Sequence, residues 1–284
     1  MKIDILTSKI KSLPTLPVVI NKIIKLVENP KTSASEIASV ISHDPGLAAK
    51  ILSVVNSAYY GFPRKISTIS HAIMILGFND IKNIALSISV FDVFKGKQRE
   101  GLNIEEFWKH SIGVGVCSRQ LGKRVKYPEA EEAFIAGLLH DIGKIAFQKY
   151  MTDEYARIVK LAQENDLWIT DCEKKVLDGL DHTVVGEIIA EKWKLPTKLT
   201  KVIASHHNPI DTNGGIDMLT ALVHAGDVFA RIRKIGNGGD NGFIPSLKKE
   251  IWYKLEISSS ELEKIYVEMD EEMAKTEEFL GLAK

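Results

Sequence analysis

The stretch AGLLHDIGKIAF, residues 136–147, sets His140 and Asp141 side by side in an otherwise apolar run, with Lys144 one helical turn further on. Such a run reads as a buried helical segment. An uncompensated carboxylate there costs on the order of several kcal/mol, so Asp141 needs a partner. One reading pairs Asp141 with Lys144 at i,i+3 and gives His140 a backbone hydrogen bond. The other supplies a metal ion, which neutralises the carboxylate and employs the imidazole. The stretch by itself leaves both open.

Working outward, the same kinds of residue recur on other segments. His110 lies in EEFWKHSIGVG, His182 in GLDHTVVGEIIAEKW, and His206-His207 in VIASHHNPI. His224 and Asp227 share LVHAGDVFARI. Imidazoles and carboxylates together suit a divalent transition metal, and the set does not distinguish iron, manganese, zinc or nickel. One helix cannot surround an ion, so ligands must converge from several, as in helical-bundle metal sites. Neighbours on a helix point about 100° apart. His206 and His207 can therefore share a site only near a helix end or beside two ions, and Pro209 marks such an end. His43 and His71 have no partner motif and read as ordinary core or surface histidines.

The rest of the chain reads as helix after helix, giving an all-α class. Pro17–Val27 has helical apolar spacing with prolines at its entrance. Ser33 and Glu36 are spaced as a capping box. In HDPGLAAKILSVVNSAYYG, Asp44 is an N-cap, Pro45 the first helical position and Gly61 a C-terminal stop. Helices are expected over 68–76 and 80–94, separated by Gly77-Phe78-Asn79. Further helices are expected over 105–124, 129–148, 153–165, 170–177, 183–192, 196–206 and 215–233. GNGGDNG (236–242) reads as a flexible loop, and 246–283 as two amphipathic helices. No repeat, low-complexity segment or strand alternation is visible. KGKQREGLN (95–103) is polar and glycine-containing, and reads as a boundary. The expected organisation is an N-terminal bundle (1–100), a metal-binding helical domain (101–235), and a C-terminal piece (236–284) docked on the body. The two bundles are expected to pack together.

Composition narrows the function. The chain has 284 residues, 45% apolar and 26% charged, with 37 basic and 37 acidic side chains. Neutral balance gives no argument for nucleic acid or a membrane surface. Cys117 and Cys172 form no CxxC pair and read as free thiols of a reducing compartment. The first residues contain no apolar block, and no run approaches the ~20 residues that span a bilayer. A cytoplasmic protein is expected.

HDIGK at 140–144, with a preceding His, later His positions and a final Asp, resembles the HD superfamily of metal-dependent phosphohydrolases. LPTLPVV, ISHDPGLAAKILSVVNSAYYG and STISHAIMILGFNDIKNIALS resemble the HDOD domain, the HD-related output domain of bacterial signalling proteins. The resemblance runs from about Leu13 to about Arg233. It implies that His110, His140, Asp141 and Asp227 bind a first metal. It implies that His182, His206 and His207 supply a second, with Asp141 bridging the two and serving as the catalytic bridge in an enzyme. Lys144 matches a lysine that approaches the substrate phosphate. HD-GYP cyclic-dinucleotide phosphodiesterases read HHE and then Gly-Tyr-Pro, whereas this chain reads HHNPIDTNGG, with Asn208 at the acid's position.

Three function classes follow. The favoured one is a regulatory binding module, partnered by a signalling protein or a nucleotide-type small molecule. The alternative is a phosphohydrolase acting on a nucleotide or cyclic dinucleotide. A minor one is DNA binding through TSASEIASVISHDPGLAAKILSVV, but its second helix offers only Lys50 as a basic contact. The apolar helices of 68–94 read as core between the bundles rather than a docking surface.

Overall fold

The computed structural model of the chain describes residues 13–96, 99–276 and 281. The expectations for residues 1–12, for 97–98 of the polar boundary and for 277–280 and 282–284 of the last helical stretch lie outside the described residues. Among the described residues every named element is a helix, and one isolated antiparallel bridge joins Ile210 to Ile216. The all-α reading holds. The chain divides into two compact units, one built on Pro14–Lys95 and one on Gly96–Glu271.

The first unit contains α1 (Val18–Glu28), α2 (Ala34–Ser42), α3 (Pro45–Val55), α4 (Ile69–Leu76) and α5 (Phe78–Phe94). The expected caps are present. The Ser33 hydroxyl accepts from the Glu36 N–H while Glu36 accepts from the Ser33 N–H, and Asp44 caps α3 with Pro45 at its first position. Helix α3 ends at Val55 rather than reaching Gly61. There Asn56 turns back, donating to the carbonyls of Leu52 (2.7 Å) and Ile66 (2.8 Å) and accepting from the Ile66 N–H (2.8 Å). Its side chain thereby offers the backbone an alternative to further helix. Gly77 alone separates α4 from α5, which meet at a 120° bend, so the expected three-residue break is shorter. Helix α5 is buried along most of its length, while Met74 and Ile75 of α4 are exposed. Lys50 of α3 pairs with Asp92 of α5 at 2.6 Å. No single helix among the described residues is long and apolar enough to cross a membrane.

The second unit contains α6 (Ile104–Arg124), α7 (Ala130–Leu139), α8 (Ile142–Tyr150), α9 (Thr152–Glu164), α10 (Ile169–Val176), α11 (His182–Lys192), α12 (Thr197–Ser205), α13 (Met218–Ile232), α14 (Lys249–Leu255) and most of α15 (Ser259–Met273). Helix α6 is its axis, buried on nearly every face from Phe107 to Gly122, with α7 and α13 packed on it. The helix expected over 129–148 is two helices. It breaks at His140 and Asp141, where Asp141 has φ −104° and ψ 16°. The break frees two adjacent residues from helical spacing, so both side chains turn into one interior space. Cys117 and Cys172 are free and buried.

The α6–α7 crossing depends on small residues. A Cβ on Gly137 would lie 2.7 Å from the Cα of Gly115, and one on Gly115 would lie 2.6 Å from the Phe134 carbonyl oxygen. Gly137→Ala is expected to destabilise the unit by about 1–3 kcal/mol through overpacking, read as a lower urea midpoint.

Candidate metal centre

Helix ends and the interiors of two buried helices bring the ionisable residues together. His110 projects from α6 and Asp227 from α13, while His140 and Asp141 occupy the α7–α8 break. His182 is the first residue of α11, whose N-terminus is capped by Asp181 accepting from Thr183 and Val184. His206 and His207 follow directly on α12, the helix end anticipated from Pro209. Ligand atoms of Asp141, His182, His206 and His207 lie within 4.8 Å of one another, and so do those of His110, His140 and Asp227. All the residues expected as ligands are thus in these two groups. His43 and His71 are exposed in the other unit. His224 belongs to neither group; its Nδ1 faces the His206 carbonyl at 2.8 Å and buttresses it.

Asp141 joins the two groups. Its Oδ1 lies 3.1 Å from His182 Nε2 and 3.5 Å from His206 Nε2, and its Oδ2 lies 3.2 Å from His140 Nε2. His182 Nε2 is 3.0 Å from His207 Nε2, and His110 Nε2 is 3.1 Å from Asp227 Oδ1. These atoms approach closely, yet Nε2 of His110, His140 and His206 and both Asp141 oxygens make no hydrogen bond of good geometry among the described residues. Buried polar atoms of folded proteins are nearly always bonded. Several orphaned ligand atoms gathered in these two buried groups could hold a divalent cation, being nitrogen and carboxylate ligands of the kinds such ions take.

The rings are held by their other nitrogen. Nδ1 of His140 faces the Gly137 carbonyl (2.6 Å), that of His206 the Ile203 carbonyl (3.2 Å), and that of His182 the Glu173 carboxylate (2.6 Å). Such contacts direct Nε2 toward the centre. Glu173 also accepts from the His182 backbone N–H and from the Tyr155 hydroxyl (2.8 Å). Arg231 Nε donates to Asp227 (2.8 Å) and its Nη1 to Asp240 (2.9 Å). Sequence reasoning missed these supports. Arg231 stands four residues after Asp227, a legible helical pairing. Glu173, in CEKKV, carries no such signal.

Two expectations change here. The glycine-rich stretch 236–242 is a seated strap rather than a flexible loop. Asn237 N–H donates to the Glu106 carbonyl (3.0 Å), Asp240 is buried against Arg231, and Gly236 adopts φ +62° where a Cβ would strike the His110 backbone. Lys144 is fully buried, with Nζ 2.7 Å from Asp141 Oδ2, so the ion-pair reading of HDIGK is present too. It compensates Asp141 only in part, since both carboxylate oxygens stay without a well-formed hydrogen bond.

Electrostatics favour the charge states a cation needs, with one exception. Burial would raise the Asp141 carboxyl, but the charges of His140, Lys144 and His182 hold it well below the usual range. Burial is opposed likewise at Asp227 by Arg231 and His110. Burial lowers His110, lowers His206 to about 4, and puts His207 well below its ordinary value, leaving them neutral at pH 7. At His182 burial also lowers the pKa, but Glu173 and Asp141 overcome it and raise the ring to about 9.

With this geometry in place, comparison with known proteins identifies the family. The HDOD domain profile matches residues 13–209. The chain belongs to the HDOD family. An HDOD domain protein of unknown function from Geobacter sulfurreducens superposes with a TM-score of 0.77 at 22% identity, covering 100% of this chain and 97% of that one. A candidate signal transduction protein of Marinobacter aquaeolei superposes at 0.74 with 20% identity, covering 99% of this chain and 65% of that one. A candidate metal-dependent phosphohydrolase of Shewanella amazonensis superposes at 0.65 with 19% identity, covering 98% and 99%. These likenesses establish a shared HDOD fold. An uncharacterized protein of Treponema pallidum is 25% identical over 206 residues, which span 72% of this chain and 39% of that protein.

A metal ligand must be deprotonated, so His182 has to release its proton on loading. Metal affinity is expected to rise with pH up to about 9, with about one proton released per chain near pH 7, read by calorimetry in buffers of different ionisation enthalpy. Glu173→Gln is expected to reduce that release and to weaken metal binding by about 10–100-fold.

Proposed function

We propose that this HDOD protein is a regulatory binding module of bacterial signal transduction that holds one or two divalent transition-metal ions in its His/Asp cluster. The observation that carries the reading is the convergence of Asp141 with His182, His206 and His207 on one side and with His140, His110 and Asp227 on the other, all buried. The first group would hold one ion and the second another, with Asp141 between them. The centre lies in the second of two helical bundles, and the partner is a signalling protein or a nucleotide-type small molecule. Three features favour binding over turnover. Lys144 is engaged by Asp141 instead of projecting toward a substrate. The strap of 236–242 seats over α6 beside His110. Asn208 and the residues after it lack the acid and the Gly-Tyr-Pro of the cyclic-dinucleotide phosphodiesterases.

A phosphohydrolase is the second reading, favoured by the position of Asp141 with one oxygen toward each group. Bound ions would polarise a phosphoryl oxygen and activate water. In that reading this chain's own residues orient the ligands: Glu173 sets His182, Arg231 sets Asp227, and Lys144 balances the charge of Asp141.

Metal analysis of protein purified without chelators is expected to find about one to two ions per chain, strongly reduced in His140→Ala and Asp141→Ala. Absence of metal from the wild type under metal-replete conditions would sink the proposal. A phosphodiesterase assay with manganese or ferrous iron separates the two readings. Metal without turnover supports the module, and turnover abolished by Asp141→Ala supports the enzyme.

A further inference from the structure

The His/Asp cluster is closed. His140, Asp141, His182 and His206 have no exposed surface, His110 and Asp227 are at most 2% exposed, and His207 is 9% exposed. An ion that enters or leaves therefore needs some part of the second unit to move. The segments that bear the candidate ligands are helices or helix ends, held by their own backbone ladders. The glycine-rich strap of 236–242 has no such ladder.

The strap meets the cluster at Gly238. A Cβ there would lie 3.0 Å from Arg231 Nη2, 3.2 Å from Lys144 Nζ and 3.5 Å from His110 Cδ2. Gly238, Gly239 and Asp240 are buried, whereas Asn241 and Gly242 are exposed. One short segment thus touches both a candidate ligand and solvent. Polar contacts hold it down. The Asn237 N–H donates to the Glu106 carbonyl (3.0 Å), Arg231 Nη1 pairs with Asp240 (2.9 Å), and the Asn241 side chain donates to Asp166 (2.9 Å). Its ends carry Gly236 at φ +62° and Gly242 at φ +77°. Such joints absorb the dihedral changes of a hinge.

Arg231 makes opening of the strap cheap. Its Nε is bonded to Asp227 at 2.8 Å, so the guanidinium keeps a buried counter-charge when Asp240 leaves. Asp240 itself moves into water. Neither charge is stranded in the interior, which is the costly way to break a buried pair. Arg231 Nη2 is buried without a hydrogen bond among the described residues, and water reaching it on opening relieves that cost. Asp227 keeps its support while the cover beside His110 lifts.

We propose that residues 236–242 form a hinged gate over the His110 side of the cluster, latched by Asp240 on Arg231, which opens to admit and release the ion. The proposal rests on the reading of the His/Asp cluster as a metal centre. The latch sets how fast the ion exchanges, while the ligands set how tightly it is held.

The test is the rate at which excess EDTA captures manganese from the loaded full chain. Asp240→Asn, which removes the charge of the latch, is expected to speed capture about 10-fold. The double variant Asp166→Cys with Asn241→Cys places two thiols where the side chains already meet. Joining them with dibromobimane is expected to slow capture about 10-fold or more, relative to the same variant before linkage. Cys117 and Cys172 are buried and do not compete. Capture unchanged by the link, or equally fast from Asp240→Asn and the wild type, would overturn the gate. The metal-free chain gives a second readout: carbethoxylation of His110 by diethyl pyrocarbonate, mapped by mass spectrometry, is expected to slow on linkage. A chain that takes up no manganese, but whose His110 the link protects, overturns the metal reading and supports the gate. A manganese-loaded chain indifferent to the link does the reverse.

Discussion

A carboxylate with no solvent exposure, set among apolar helices, is the constraint around which the second unit is organised. Taking the charge of Asp141 out of water is costly unless opposite charge surrounds it closely. The surroundings answer from several directions: Lys144 at 2.7 Å, His182 at 3.1 Å and His140 at 3.2 Å. Each partner lies on a different turn or element, so the carboxylate ties together the α7–α8 break, the start of α11 and the end of α12. A helix running unbroken through Asp141 would aim His140 and Asp141 in different directions and lose that convergence.

The charge balance extends outward in steps. Against burial, Glu173 raises the pKa of His182 while fixing the ring and Asp141 raises it further, with Tyr155 holding Glu173. On the other side Asp227 is set by Arg231, and Arg231 by Asp240 of the glycine-rich strap. Low dielectric makes each of these contacts strong and each unpaired group costly. This is the physical reason the strap is seated: Asp240 supplies Arg231 with a second buried counter-charge beside Asp227 of α13. The candidate ligands therefore depend on residues two contacts away, and the covering segment is bound to the centre through one guanidinium.

Much of this was legible in the chain itself. The ligand candidates were named from residue type and from the HDOD resemblance, and every one lies in the cluster. Caps at Ser33 and Asp44 and the helix end near His207 followed from local chemistry, which acts within a turn or two. The misses share another cause. The break at His140 is invisible to apolar periodicity, because AGLL and IGKIAF are each good helix and are buried on different neighbours. The early end of α3 came from Asn56 reaching Ile66, a contact across a loop. Glu173 looks like a surface residue until Tyr155 and His182 are brought to it.

By itself, then, the sequence determined the helical class, the caps and the identity of the ionisable residues, because these rest on local spacing and side-chain chemistry. Only the tertiary structure decided that HDIGK spans a helix junction, that Lys144 spends its charge on Asp141 and that GNGGDNG is a strap. Each of those depends on contacts between segments distant along the chain, where burial and charge pairing outweigh local preference.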